Sequence, residues 1–247
     1  MPTVDGFARV RGHLERGARW DAAFDWLLPL RARTKGPRYW SPLCVAARAA
    51  LRFAELDARR VLDVGAGPGK FCIAAALARP DLVLCGVEQR HSLVRTAQEL
   101  AAGLQLTNVE FRVGDALSVP WQEFDGFFFF NPFAENVFAS EDIFDTGVEL
   151  SESRLATELL TTFRLLSSLR CGSVVITYCG LGGPIPSSYD LVHDEPLGSA
   201  ALRTWVKRRS HEADWLHLDE QDDVSVLSRP SVEQDLERMA MGIVPPA

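Results

Sequence analysis

The chain of 247 residues contains no apolar run of about 18 residues, so no segment suits a bilayer-spanning helix. Residues 1–19 are polar and charged and lack the apolar core of a secretory signal, so export is not expected. Cysteine is scarce. Cys44, Cys72, Cys85, Cys171 and Cys179 have no metal-ligand spacing, and Cys72, Cys85 and Cys179 fall in apolar segments. They read as buried thiols of a reducing, cytoplasmic compartment. Positive charge is also short: 26 Lys and Arg stand against 33 Asp and Glu, a net charge of −7. That argues against a large nucleic-acid footprint, which draws on a basic face. The basic residues gather at Arg31, Arg33, Lys35 and Arg38, and again at Lys207, Arg208 and Arg209. Runs of this kind are expected on solvated surface. No internal repeat and no low-complexity segment is present.

What is present can build a full core: 47% of residues are apolar and 24% charged. The length suits one α/β domain with additions. Apolar residues repeat at helical spacing over residues 4–30, with Gly12 and Gly17 dividing the stretch. Pro29 and residues 31–37 mark a loop. Ser41 and Pro42 read as the N-cap and first position of a helix running to about Leu56. Residues 1–58 therefore form a helical preface. From Arg60 strands and helices alternate, the signature of a largely parallel sheet. Strands are expected at 61–64, 83–88, 109–113, 126–131 and 173–179, and crossover helices at 71–78, 92–104 and about 151–169. The run Phe127 to Phe130 suits a strand buried on both faces. Residues 135–149 carry Glu135, Glu141, Asp142, Asp145 and Glu149 and exceed a plain connection; they read as a lid, a substrate loop or a surface excursion. A late strand pair is expected at 189–193 and 201–208. Residues 210–247 form an extension of unassigned role, with a short helix expected at 232–241.

The chain is organised around residues 60–69, RVLDVGAGPG: a buried strand, Asp63 near its end, and glycines at 65, 67 and 69. Glycine there allows positive φ and lets a ligand approach the backbone, next to the free N–H groups of the following helix. A dinucleotide fingerprint would need glycine at position 70, where Lys70 stands. A P-loop would need glycine at 64 and Ser or Thr at 71, where Val64 and Phe71 stand. Three more polar residues follow successive strands. Glu88 ends the second, where a carboxylate can accept hydrogen bonds from the ribose hydroxyls of an adenosine ligand. Asp115 follows the third; an acceptor-only carboxylate suits an exocyclic amine. Asn131, with Pro132 and Phe133, follows the fourth. In an open α/β sheet this edge, beyond the carboxyl ends of the strands, is where ligands bind.

The motif D-V-G-A-G-P-G resembles motif I of the class I S-adenosylmethionine methyltransferases, and residues 60–208 follow that family's order. The resemblance implies a three-layer, doubly wound, largely parallel seven-stranded sheet over residues 59–209. It implies that Asp63, Gly65, Ala66, Gly67 and Gly69 back the methionine end of the cofactor. Glu88 and Gln89 would hold the ribose, and Asp115 and Ala116 the adenine. Asn131, Pro132 and Phe133 would face the substrate, with Asn131 also near the cofactor. This chain has one proline after Asn131 where the fuller pattern of amino-group methyltransferases has two, so the acceptor atom stays open. Tyr39 and Trp40 of the preface are candidates to touch the site.

The expected activity is methyl transfer from S-adenosylmethionine to an amine or other small nucleophile, with Asn131 and the Pro132 carbonyl positioning the acceptor. No dedicated base and no metal site stands out. Protein lysine is a second acceptor class, because the short Gly-Val-Glu and Asn-Pro-Phe segments resemble the non-SET histone-lysine methyltransferases and the acidic residues 135–149 could attract a basic peptide. The rival readings are a nucleotide-dependent oxidoreductase and a non-catalytic subunit of the same fold.

Overall fold

The structure, a computed structural model, describes residues 11–12, 21–198 and 200–210. Val61, Leu62 and Val64 commit both faces of one segment to burial, and that segment is the central strand β1 (Arg60–Val64). The other apolar runs pair with it. They are β2 (Val83–Glu88), β3 (Val109–Val113), β4 (Gly126–Phe130), β5 (Val174–Tyr178), β6 (Tyr189–Leu197) and β7 (Ala200–Lys207). They form one sheet of seven strands in the order β3-β2-β1-β4-β5-β7-β6. Strands β1 to β5 run parallel; β7 is antiparallel to both β5 and β6. The order reverses between β1 and β4, which opens a crevice at their carboxyl ends.

Helices cover both faces. On one lie α1 (Asp21–Asp25), α2 (Leu30–Tyr39), α3 (Leu43–Glu55), α4 (Lys70–Ala78) and α5 (His91–Gly103). On the other lie α6 (Glu152–Ser168) and the turn at Trp121–Glu123. The phenylalanine run of β4 serves both cores by the two-residue period of a strand. Phe127 and Phe129 enter the α6 side, while Phe128 enters the other and stacks on Phe71 at 3.7 Å. No helix among the described residues is long and apolar enough to cross a membrane.

Residues 31–37 depart from the expected loop: they lie within α2. The segment is polar and carries Gly36 and Pro37, so local propensity is poor. Side-chain hydrogen bonds hold it. Arg33 donates to the carbonyls of Asp25, Trp26 and Leu28 at and just past the end of α1, the Trp40 indole donates to Ala32 O at 2.7 Å, and the Tyr39 hydroxyl donates to the distant Asp142 O at 2.7 Å. The expected serine cap of α3 is also replaced. Pro42 is the capping residue, and Asp21, 22 positions away, accepts from the Leu43 N–H at 3.0 Å. Cys72 and Cys85 are buried as expected, but Cys44 and Cys179 are half-buried and Cys171 is exposed. The helix expected at 232–241, and most of the one expected at 4–30, lie outside the described residues.

Neither basic cluster is simply solvated surface. Lys207 is only 1% exposed. Its ammonium donates to the carbonyls of Leu166 (3.1 Å) and Ser167 (2.6 Å), and it lies 5.2 Å from the Tyr189 ring centre. A cation at the carbonyl end of α6 is electrostatically favoured, and without it these buried acceptors lose their charged donor. Lys207→Met is expected to lower the unfolding free energy by about 2–3 kcal/mol in urea titration. A loss below about 0.5 kcal/mol would mean that water replaces the ammonium.

Candidate active site

The edge of the sheet where β1, β2, β3 and β4 end carries two adjoining cavities. The larger has about 500 Å³ of empty space and is walled by Glu88, Gln89, Arg90, Asp115, Ala116 and Pro132, among others. The smaller, about 280 Å³, lies behind the glycine turn and is walled by Tyr39, Trp40, Ser41, Asp63, Lys70 and Phe130, among others. Gly65 borders both.

The turn has the backbone its glycines permit. Gly65 has φ +77° and Gly67 φ +54°, in the left-handed region. A Cβ on Gly67 would come within 2.4 Å of the Trp40 ring, so glycine is also required sterically. The preface thus rests directly on the turn through Trp40, and Tyr39 reaches the smaller cavity. Gly69 faces inward instead: a Cβ there would strike Phe111 and Ala97, so its part is packing between α4 and its neighbours. Gly67 and Gly69 line neither cavity.

Glu88 is 8% exposed at the end of β2. Its Oε2 accepts from the Gly67 N–H at 3.2 Å and its Oε1 from the Arg90 N–H at 2.9 Å. Burial raises its pKa, while these two N–H groups and the Arg90 charge work against that rise. Gln89 accepts from Arg154 at 2.7 Å. Asp115 is exposed and folds back on its own turn, accepting from the Leu117 N–H at 2.9 Å and the Ser118 hydroxyl at 3.1 Å. Ala116 is buried in the wall. Asp63 is buried, with the Cys72 thiol 3.4 Å from its carboxylate, and burial pushes its pKa up to about 7.

Asn131 itself is in the wall of neither cavity; its neighbours Phe130 and Pro132 line the smaller and the larger one respectively. Its φ is +51°, and its Oδ1 is buried with no hydrogen-bond partner. Pro132 packs on the turn, with its Cβ 3.2 Å from where a Cβ on Gly65 would sit. Phe133 is buried with the α6-side core and borders the larger cavity.

Residues 56–180 match the family model described as "Methyltransferase domain". The chain belongs to the methyltransferase-domain family. It is a methyltransferase of the class I, S-adenosylmethionine-dependent kind, and the seven-stranded sheet is the fold of that class. Among solved structures, an RNA methyltransferase from Salinibacter ruber in complex with S-adenosyl-L-homocysteine is 19% identical, with 66% of this chain and 92% of that chain covered and a TM-score of 0.45. TrmN from Thermus thermophilus is 22% identical, with 66% and 48% covered and a TM-score of 0.48. The mitomycin 7-O-methyltransferase MmcR is 17% identical, with 82% and 60% covered and a TM-score of 0.49. No curated protein matches the chain.

The methyltransferase's own residues fit the cofactor. The larger cavity offers the buried Glu88 carboxylate, and the smaller joins a carboxyl, Asp63, to an ammonium, Lys70. Gly65 borders both, and a Cβ there would crowd Pro132 at 3.2 Å.

Several residues here carried no signal in the sequence. Arg90 donates to Glu135 at 2.8 Å and to Asp145 at 2.9 Å, and its guanidinium lies 5.4 Å from the Phe144 ring centre. Glu135 also accepts from the Tyr39 hydroxyl at 3.2 Å. The basic face of α2 grips the same stretch: Arg31 donates to Phe144 O, Lys35 to Glu141 O at 2.9 Å, and Arg38 pairs with Asp142 at 2.5 Å. Val148 and Leu150 then border the larger cavity. The acidic segment is therefore a fastened cover, not a surface excursion. Asn136 ties its start to α6 through Glu158 at 2.8 Å.

Proposed function

We propose that the chain transfers the methyl group of S-adenosylmethionine to a nitrogen of a small-molecule acceptor, and that Asn131 holds that nitrogen. The observation that carries this reading is the orphaned Asn131 Oδ1. A buried carbonyl oxygen without a donor costs about 1–3 kcal/mol, and it sits on a residue in left-handed backbone. An amine N–H supplied by the acceptor would satisfy that oxygen and aim the nitrogen lone pair. The cofactor, when bound, supplies an already activated methyl group. The protein's part is then to orient both reactants and exclude water. A neutral amine carries its own lone pair, so no base has to act before transfer, and no histidine lines either cavity.

A small acceptor is favoured over a basic peptide. Three of the five carboxylates of the acidic segment are engaged within the chain: Glu135 and Asp145 by Arg90, and Asp142 by Arg38. The preface, with Trp40 on the glycine turn, takes the part of a cap over the amino-acid end of the cofactor.

Asn131→Ala is expected to lower kcat about 30-fold, the equivalent of roughly 2 kcal/mol of lost positioning. The Kd for S-adenosylhomocysteine should stay within about threefold. Single-turnover kinetics and calorimetric titration measure the two separately. Equal losses in both would assign Asn131 to the cofactor alone. Lack of turnover with every amine tried in the wild type, despite cofactor binding, would favour a non-catalytic subunit.

A further inference from the structure

The smaller cavity combines two ionisable groups withdrawn almost completely from solvent. Asp63 and Lys70 are each 4% exposed, and both line it. Asp63 comes from the end of β1, and its hydrogen-bond partner is the Cys72 thiol at 3.4 Å, a weak donor. Lys70 opens α4. Its Nζ lies 2.7 Å from Asp21 and 2.8 Å from Asp25 of α1, and 5.8 Å from the Phe24 ring centre. An ammonium has three donors, and the two α1 carboxylates account for two of them.

The other walls include Tyr39, Trp40 and Ser41 from the preface, with Phe71 and Phe130. A small aromatic-walled space holding one carboxyl and one ammonium is complementary to a zwitterion, whose two charges would each meet an opposite partner. The fixed N–H groups opening α4 add to the preference for an anion beside Lys70.

We propose that Lys70 binds the carboxylate of the cofactor's amino-acid end, with Asp63 facing its ammonium, so that one lysine both selects the complete cofactor and fastens α1 over it. The proposal rests on the cofactor reading given above. It makes Lys70 a specificity-determining residue and couples the seating of the preface to cofactor occupancy. The carboxylates of Asp21 and Asp25 remain partly exposed, with side-chain exposures of 39% and 20%. Loss of the ammonium therefore leaves them partly hydrated, so Lys70→Met is expected to fold.

The test is calorimetric titration of the full chain with S-adenosylhomocysteine and with 5′-methylthioadenosine, which keeps the adenosine and the sulfur but lacks the amino acid. The wild type is expected to prefer the former by at least tenfold. Lys70→Met should lose about 30-fold in affinity for S-adenosylhomocysteine and stay within threefold for 5′-methylthioadenosine. Lys70→Arg should keep the preference. Asp25→Asn, which loosens α1 and leaves the ammonium in place, should keep it too. Equal weakening of both ligands by Lys70→Met would reduce Lys70 to a prop for α1 and overturn the proposal, as would a wild type indifferent between the ligands. Should Lys70→Met fail to fold, a Lys70→Arg that loses the preference, or an Asp25→Asn that does so, overturns it equally. Failure of the wild type to bind either ligand is a separate outcome, and it would sink the cofactor reading itself.

Discussion

Glu88→Ala is expected to weaken S-adenosylhomocysteine binding about a thousandfold. The reason is double duty. The carboxylate stands at the end of β2 in the larger cavity, where the ribose hydroxyls of an adenosine ligand would donate to it. It also receives the Gly67 and Arg90 N–H groups, so it fixes both the glycine turn and the approach to the Arg90 network. Hydrogen bonds to a charged acceptor are worth about 1.5–3 kcal/mol each, and two lost to the ligand come to roughly 4 kcal/mol, or about 10³ in Kd. Glu88→Gln keeps one acceptor oxygen and should lose only part of this, about tenfold. Folding should survive both changes, because burial already opposes the charge on this group. Calorimetric titration gives the Kd and a thermal melt the stability. An unchanged Kd in folded Glu88→Ala would remove the ribose role and with it the placement of adenosine in the larger cavity.

The fold was legible because it rests on local repetition. Strands β1 to β5 announce themselves by apolar or β-branched residues, and the glycine turn by a conformation few other residues adopt; β6 runs past its expected end at 193 to Leu197 through the polar Asp194 and Glu195, held by pairing with β7 rather than by its own pattern. The phenylalanine run could be read as doubly buried before its faces were known. The site was legible as far as one rule reaches: polar residues at the ends of successive parallel strands converge at one edge. Asp63, Glu88 and Asp115 with the Asn131 segment do converge around the two cavities.

What stayed hidden are pairings that leave no periodicity. Arg90 meets Glu135 across 45 positions, and Lys35 reaches Glu141 O across 106. Nothing in the local composition of either partner names the other. The same holds for α2, whose weak propensity is overridden by contacts with a segment more than a hundred residues away. Lys207 misled in the opposite direction. In sequence it sits beside Arg208 and Arg209, which point to solvent, but the alternation of β7 turns it inward to the end of α6. In the sequence Lys70 only spoils a dinucleotide fingerprint. Its burial beneath α1 gives that departure a physical content.

The binding of cofactor should depend on pH through Asp63. Burial pushes its carboxyl up to about 7; the Cys72 thiol lowers it somewhat, and the charge of Glu88 raises it. The groups facing it are Cys72 and Lys70 from α4, Glu88 from β2, and Tyr39 across the cavity. In the unfolded chain an aspartate titrates near 3.9. Between about 4 and 7 the folded protein therefore holds a proton that the unfolded chain has released. This contribution to stability is complete below the unfolded value and is lost as pH rises through the window, by up to about 1.4 kcal/mol per unit. Asp63→Asn should flatten that slope in urea titrations. Ligation reverses the preference. An ammonium facing Asp63 requires the carboxylate, so binding below pH 7 must expel the proton. The Kd for S-adenosylhomocysteine should rise about tenfold per unit below that point, or about a hundredfold at pH 5. Calorimetry at pH 6 in two buffers of different ionisation enthalpy should count close to one proton released, falling to none at pH 8. Asp63→Asn should release none at either pH. A wild type that also released none at pH 6 would place the ammonium elsewhere and leave Asp63 as a buried acid that only stabilises the turn.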